Sequence, residues 1–411
     1  MKILFLSQRF LLPMDTGGKI RTGKILEQLS QLHEITLISN VEEPKDSPYL
    51  PNIRELCTEF VSVPWKEIKK YSFPFFVRLF FQMFSIYPVN VLNDSSAKLR
   101  VAVEKEAASG NYDVAICDFV QSALMFRDIK GIPTLLFQHN VESEISRRHV
   151  TQSDNIIMKI FWFLQWKKML LFEKRACKSF DKVIAVSEKD RQTFEKLYSV
   201  NNVTDIPTGV DVDYFAPVPD PDIKVNSLVF CGSMDWLPNE DAVIFFVRDI
   251  LGKIKQNISN ITLTIAGRNP SPNLTKLIRD YPEVSLTGWV EDTRPYIAGS
   301  SLYIVPIRIG GGTRMKIYEA MAMGKSVIST SVGAEGLPVV NGENIIIEDD
   351  PTEFAKKITE LLKSEEKREK IGTAACDYVR KYFAWESVAE SFSSICKSAM
   401  NSSERSAEHT V

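Results

Sequence analysis

The sequence predicts an α/β protein made of two doubly wound parallel-sheet domains. Three observations carry this reading: a length of 411 residues, short apolar runs that alternate with amphipathic stretches twice over, and a proline-rich break between the two series. A chain this long exceeds what one hydrophobic core usually supports. Strands separated by helical segments pair in parallel, with helices covering both faces of the sheet.

In the first series the expected strands are KILFLS (2–7), EITLIS (34–39), DVAICD (113–118), TLLFQ (134–138) and KVIAVS (182–187). Between the first two, GGKIRTGKILEQLSQL places Ile20, Ile25, Leu29 and Leu32 roughly on one helical face. The break, IPTGVDVDYFAPVPDPDIK (206–224), holds four prolines and a glycine and reads as a linker. The second series restarts with SLVFCG (227–232), ITLTIAG (261–267), VSLTG (284–288), SLYIVP (301–306), KSVIST (325–330) and NIIIED (344–349). Helices are expected at 352–364, 366–381 and 383–400, and the polar tail 401–411 is expected to be disordered. The expected domains are therefore 1–205 and 225–382.

Composition narrows the class. Hydrophobic residues make up 44% and charged residues 25%, as in a globular protein. Lys and Arg total 50 against 52 Asp and Glu, so no global field favours nucleic acid. The six cysteines have no paired spacing and the four histidines lie far apart, which suits reduced thiols in a cytoplasm and offers no metal site. The start, MKILFLSQRF, reads as a buried strand rather than a signal peptide, and no uncharged apolar stretch is long enough for a spanning helix. Two aromatic-rich segments, 71–92 and 156–175, interleave apolar residues with Lys and Arg. They are candidates for peripheral contact with a membrane surface, at the inner face of the plasma membrane.

Ligands of such open sheets bind beyond the carboxyl ends of the strands. PIRIGGGTRMKIYEAMAMGKSVIST (306–330) is the richest of these loops. Gly310, Gly311 and Gly312, with Thr313, leave backbone N–H groups uncovered at a helix start, where they and the helix dipole suit a phosphate. Arg314 and Lys316 add cations that can clamp a diphosphate, and the Glu319 carboxylate can accept hydrogen bonds from a ribose diol. Gly17 and Gly18 allow close backbone approach after the first strand. The Asp-x-Asp at Asp211 and Asp213 lies in the linker and is not read as a metal site. The loop after the first strand lacks the G-x-G-x-x-G of a dinucleotide oxidoreductase.

EAMAMGKSVIST, IPTGVDVDYF and GGKIRTGKILEQL together resemble the retaining glycosyltransferases of family 4, which have the two-domain GT-B fold. The resemblance spans nearly the whole chain in motif order. The GGGTR-K-x-x-E stretch is similar to a subgroup linked to bacterial surface-polysaccharide synthesis. It implies two Rossmann-like domains facing across a cleft, with the helix 383–400 crossing back to the first. It also implies a nucleotide diphosphate sugar donor, a glycan or glycolipid acceptor, and no metal or other cofactor.

Carried over residue by residue, the resemblance gives Glu319 to the donor ribose and His139, in LLFQHN, to the donor sugar. It gives Gly17 and Gly18 to the donor phosphate, and the loop of Trp289 and Val290 to the nucleobase. Arg268 could reach phosphate or base, and Glu142 could face the acceptor. Three positions depart from the family. Its first motif glutamate falls on Gly311, and the two cations that hold the diphosphate fall on Ser233 and Asn239. Arg314, assisted by Lys316 or Arg308, is expected to replace them, while Lys19 and Arg21 could merely face solvent. The alternative is a catalytically silent nucleotide-sugar binder acting within a polysaccharide complex.

Overall fold

The computed structural model describes residues 1–69, 72–152, 155–309 and 314–408. The chain forms two compact units, Met1–Pro207 with Val388–Val411, and Thr208–Ser387. The first contains β1 (Lys2–Ser7), β2 (Glu34–Glu42), β3 (Glu59–Trp65), β4 (Val114–Asp118), β5 (Thr134–Phe137), β6 (Lys182–Ala185) and β7 (Val203–Asp205). The second contains β8 (Lys224–Cys231), β9 (Thr262–Ala266), β10 (Val284–Gly288), β11 (Ser300–Val305), β12 (Val327–Ser329) and β13 (Ile346–Ile347). All pair in parallel, in the orders β3-β2-β1-β4-β5-β6-β7 and β10-β9-β8-β11-β12-β13. The α/β class and the paired Rossmann-like sheets are thus as the sequence predicts.

Central strands are apolar at successive positions because helices cover both sheet faces. Ile3, Leu4, Phe5 and Leu6 are all fully buried. Two edge strands escaped the sequence reading. EFVSVPW carries a proline and a terminal glutamate, and VTD is only three residues long.

In each sheet the strand order reverses beside the first strand, between β1 and β4 and between β8 and β11. A crevice opens at such a reversal, because neighbouring connections depart to opposite faces. The register sets Ser7 directly opposite Asp118 at the carboxyl end of the first.

The linker expectation needs correction over its first residues. The Val210 N–H donates to the Phe383 carbonyl at 2.7 Å, and Val210 also bridges to Ala384. A Cβ on Gly209 would come within 2.4 Å of the Trp385 ring, so only glycine fits there. The last helix, Trp385–Glu408, continues past the start of the tail expected to be disordered.

A buried acid organises the first unit. Glu173, in the helix Ile156–Ser179, accepts hydrogen bonds from the N–H groups of Glu142 and Ser143, both at 3.0 Å. These are the first free donors of the helix Glu142–Gln152, so Glu173 acts as its cap. The Tyr198 hydroxyl donates to the same carboxyl group at 2.6 Å. Burial nevertheless pushes the acid up to about 7, against the lowering effect of these hydrogen bonds.

Candidate active site

The reversal between β8 and β11 gathers a polar cluster. Gly232 follows β8, and the helix Met315–Ala322 is the next helix after β11. Ile317, Tyr318, Ala320, Met321 and Ala322 face the core. Lys316 and Glu319, one turn apart, share the less buried stripe. The Lys316 ammonium donates to Asn239 Oδ1 at 2.7 Å and lies 4.4 Å from the Phe230 ring centre. Asn239 in turn donates to the Ser233 carbonyl at 2.8 Å.

Gly232 makes this convergence possible, since a Cβ there would lie 2.6 Å from both Asn239 Nδ2 and Lys316 Nζ. A second cation arrives beside it. Arg268 donates through Nε to Ser233 Oγ at 2.9 Å, and Asp235 accepts from the same hydroxyl at 2.6 Å. Burial lowers Lys316 to about 8 and raises Glu319, each moderated by the other's charge.

The remaining expected donor residues are placed differently. Arg308 forms a two-pronged pair with Asp241, at 3.1 and 2.8 Å, so its charge is already engaged. Arg314 is buried, with its guanidinium 5.0 Å from the Trp236 ring centre, and burial depresses its pKa. Trp289, just past β10, is 71% exposed, while Val290 packs against the core of the second unit. Gly311, Gly312 and Thr313 lie outside the described residues.

The reversal in the first unit holds a second cluster around His139. Its Nε2 lies 2.7 Å from Asp118 Oδ1, and its Nδ1 lies 3.1 Å from Arg21 Nη1. A guanidinium only donates, so Nδ1 must accept and Nε2 must carry the proton given to Asp118. His139 is therefore held as a single neutral tautomer. Burial also lowers its pKa, with Asp118 opposing the change and Arg21 adding to it.

Phe119 stacks on the imidazole at 3.9 Å, from a backbone with φ of 63° that non-glycine residues seldom adopt. A Cβ on Gly18 would meet the tip of that ring at 2.7 Å, whereas Gly17 has open space around it. Thr22 and Ser7 complete the set by donating to the Asp118 carboxylate at 3.1 and 3.3 Å. Arg21 therefore points into this cluster rather than merely facing solvent. Glu142 is buried beside Gln121 and Asn140, and burial raises its pKa.

The sequence points to His139, Arg21, Ser233, Asn239, Arg268 and Lys316 but not to which of them pair. Asp118, Phe119, Thr22 and Trp236 went unremarked. Asp118 alone carried a signal, as an acid closing an apolar strand at its carboxyl end.

Comparisons with known proteins agree with the fold. The model of "Glycosyltransferase Family 4" matches residues 17–214, and that of "Glycosyl transferases group 1" matches residues 225–364. A 44.6 kDa protein from the cps region of Klebsiella pneumoniae is 24% identical, over 96% of this chain and 99% of its own length. Among solved structures, HepE of Anabaena in complex with UDP is 14% identical with a TM-score of 0.65, covering 97% of this chain and 100% of that one. Sucrose-phosphate synthase from Thermosynechococcus elongatus is 16% identical with a TM-score of 0.62, covering 98% of this chain and 100% of that one. With the two family models falling one on each Rossmann-like half, the chain is a glycosyltransferase of the family 4 type, with the GT-B fold.

Proposed function

We propose that the protein transfers a sugar, with retention of anomeric configuration, from a nucleotide diphosphate sugar to a hydroxyl of a lipid-linked or surface-polysaccharide intermediate. The observation that carries the donor site is the pairing of Lys316 with Asn239 and of Arg268 with Ser233 at the end of β8. Where the family sequence places two cations at 233 and 239, this chain delivers two from elsewhere. A diphosphate needs about that much positive charge. This moves the main role from Arg314 to Lys316, which the sequence names as one of two assistants, and adds Arg268. Glu319 receives the ribose, the Trp289–Val290 loop the base, and Gly311, Gly312 and Thr313 keep the phosphate-binding role that the sequence gives them. A uracil base is the first choice, since HepE was solved with UDP. The cps setting of the Klebsiella relative supports the acceptor class.

In the proposed step, the bond from the anomeric carbon to the phosphate oxygen breaks while the acceptor oxygen attacks from the same face. The acceptor's proton passes to the departing phosphate oxygen. Lys316 and Arg268 stabilise the charge that develops there, so the reading needs no metal. In this reading His139, fixed and uncharged, keeps the donor-sugar role that the family resemblance gives it, and Gly17 and Gly18 the phosphate role. The protein would act in the cytoplasm, at the membrane that carries its acceptor.

The test is a thermal-shift screen of UDP, GDP, ADP and dTDP, followed by hydrolysis and transfer assays with the matching sugars and NMR assignment of the product anomer. An inverted anomer, or indifference to every diphosphate, rejects the reading. Binding without turnover of any sugar donor would favour the silent binder.

A further inference from the structure

The first unit carries a surface with its polarity reversed. In the helix Phe73–Met83 the buried residue is Gln82, whose amide donates to Asn93 Oδ1 at 3.0 Å. Phe73 and Phe84, by contrast, are 82% and 77% exposed. The helix Ile156–Ser179 repeats the pattern. Gln165 is buried and accepts from the Val89 N–H at 2.9 Å, while Ile157 is 72% exposed. Lys168 donates to the Met83 carbonyl at 2.7 Å, so the two helices are neighbours. Water makes this arrangement costly, and folding would ordinarily turn the phenylalanines inward.

Two further facts identify what covers it. Residues 155–160 are exposed at every position. At about 100° per residue, Ile156, Ile157, Met158 and Ile160 spread over about 200° of the helix circumference, with Lys159 on the remaining side. An exposed apolar arc with a lysine opposite is the pattern of a helix lying in a membrane interface, apolar side in the acyl boundary and Lys159 toward the headgroups. Charge gives the second fact. Stretches 68–93 and 155–172 contain no Asp or Glu but hold Lys69, Lys70, Arg78, Lys159, Lys167 and Lys168, in a chain whose net charge is −2. The Lys167 ammonium lies 4.4 Å from the Trp166 ring centre, a Trp–Lys pairing suited to the headgroup layer. No helix among the described residues is long and apolar enough to cross a membrane.

We propose that the helix Phe73–Met83 with its following Phe84–Ile86, and the first half of the helix Ile156–Ser179, dock the protein in the interface of an anionic bilayer. The apolar residues enter the acyl boundary, and the exposed Lys69, Lys159 and Lys167 meet the headgroups. This surface is independent of the donor site, so either proposal can fail alone.

The experiment is flotation of the full chain with phosphatidylcholine vesicles that carry or lack about one third phosphatidylglycerol. Phe81→Glu with Phe84→Glu, and separately Ile157→Glu, are compared with the wild type. A milder Phe84→Ser covers the case of a variant that does not fold. Wild-type protein is expected to float with anionic vesicles, and each charged variant to lose at least about tenfold in partitioning. Their melting temperatures and their hydrolysis of a soluble nucleotide sugar should be unchanged. Binding should weaken between about 0.1 and 1 M salt. The proposal is overturned if the wild type stays with the soluble fraction. It is equally overturned if the lipid-free wild type is a dimer that these substitutions make monomeric.

Discussion

The Lys316 ammonium lies 2.7 Å from Asn239 Oδ1, so the helix after β11 places a positive charge at the first turn of the helix after β8. Gly232, between them, is the residue that leaves room. This cross-sheet contact ties the chemistry of the site to the strand order, and the first prediction follows from it.

Lys316→Met should weaken binding of a nucleoside diphosphate by about 10- to 100-fold, the worth of one charge-assisted hydrogen bond. Arg308→Ala should change it little, because Arg308 already faces Asp241. Adding Asn239→Lys to Lys316→Met should restore part of the loss by returning a cation to the same place. Isothermal titration of the three variants checks this. Unaltered affinity in Lys316→Met would remove the proposed diphosphate site.

Lys316 also gives that affinity a pH dependence. Burial brings it down to about 8, so it is charged below that pH and loses its proton above it. Diphosphate affinity should therefore fall as pH rises from about 7 to about 9. Lys316→Met should bind weakly but with a flatter profile over that range, measurable by titration at four or five pH values.

Asp118 accepts from Ser7, Thr22 and His139 within the first unit. Asp118→Ala leaves the buried His139 N–H without its acceptor and should cost about 1.5–3 kcal/mol of stability. Gly18→Ala drives a methyl group toward Phe119 and through it toward the imidazole. That crowding should cost about 1–3 kcal/mol. Urea denaturation measures both.

Glu173 makes stability depend on pH in the opposite sense from a salt-bridged acid. Its folded value, about 7, stands above the ordinary glutamate value of 4.5. Between those values the folded chain keeps a proton that the unfolded chain releases, so raising the pH favours unfolding. The contribution is fully present below the lower value and is lost as pH rises through about 7, at most on the order of 3 kcal/mol. Comparing urea midpoints at about pH 5 and 8 should show this slope, and Glu173→Gln should reduce it.

Gly209→Val places a branched side chain where the Trp385 ring already lies 2.4 Å from a Cβ. The overlap should lower stability by about 3 kcal/mol or more, as overpacking at its upper end does. Pairing it with Trp385→Ala should recover part of that loss. A thermal melt of the single and double variants reads this out.

Most of the fold was legible in the sequence because a buried parallel strand needs an unbroken apolar run, and runs such as KILFLS and SLYIVP show it directly. The strands β3 and β7 were not legible, since an edge strand tolerates proline and polar residues or consists of only a few positions. For the site, the sequence identified chemistry by residue type: His139 and Arg268 stand just past strand ends, and Lys316 and Glu319 in the helix after β11. What it could not decide was which cation meets which partner. Lys316 and Asn239 are 77 positions apart, and Arg268 and Ser233 are 35 apart. Such distances close only when β8, β9 and β11 pair, so the tertiary structure alone assigned Arg308 to Asp241 and Lys316 to Asn239. The neutral state of His139 was equally beyond one-dimensional reading, because it depends on Arg21 and Asp118 reaching opposite nitrogens of one ring.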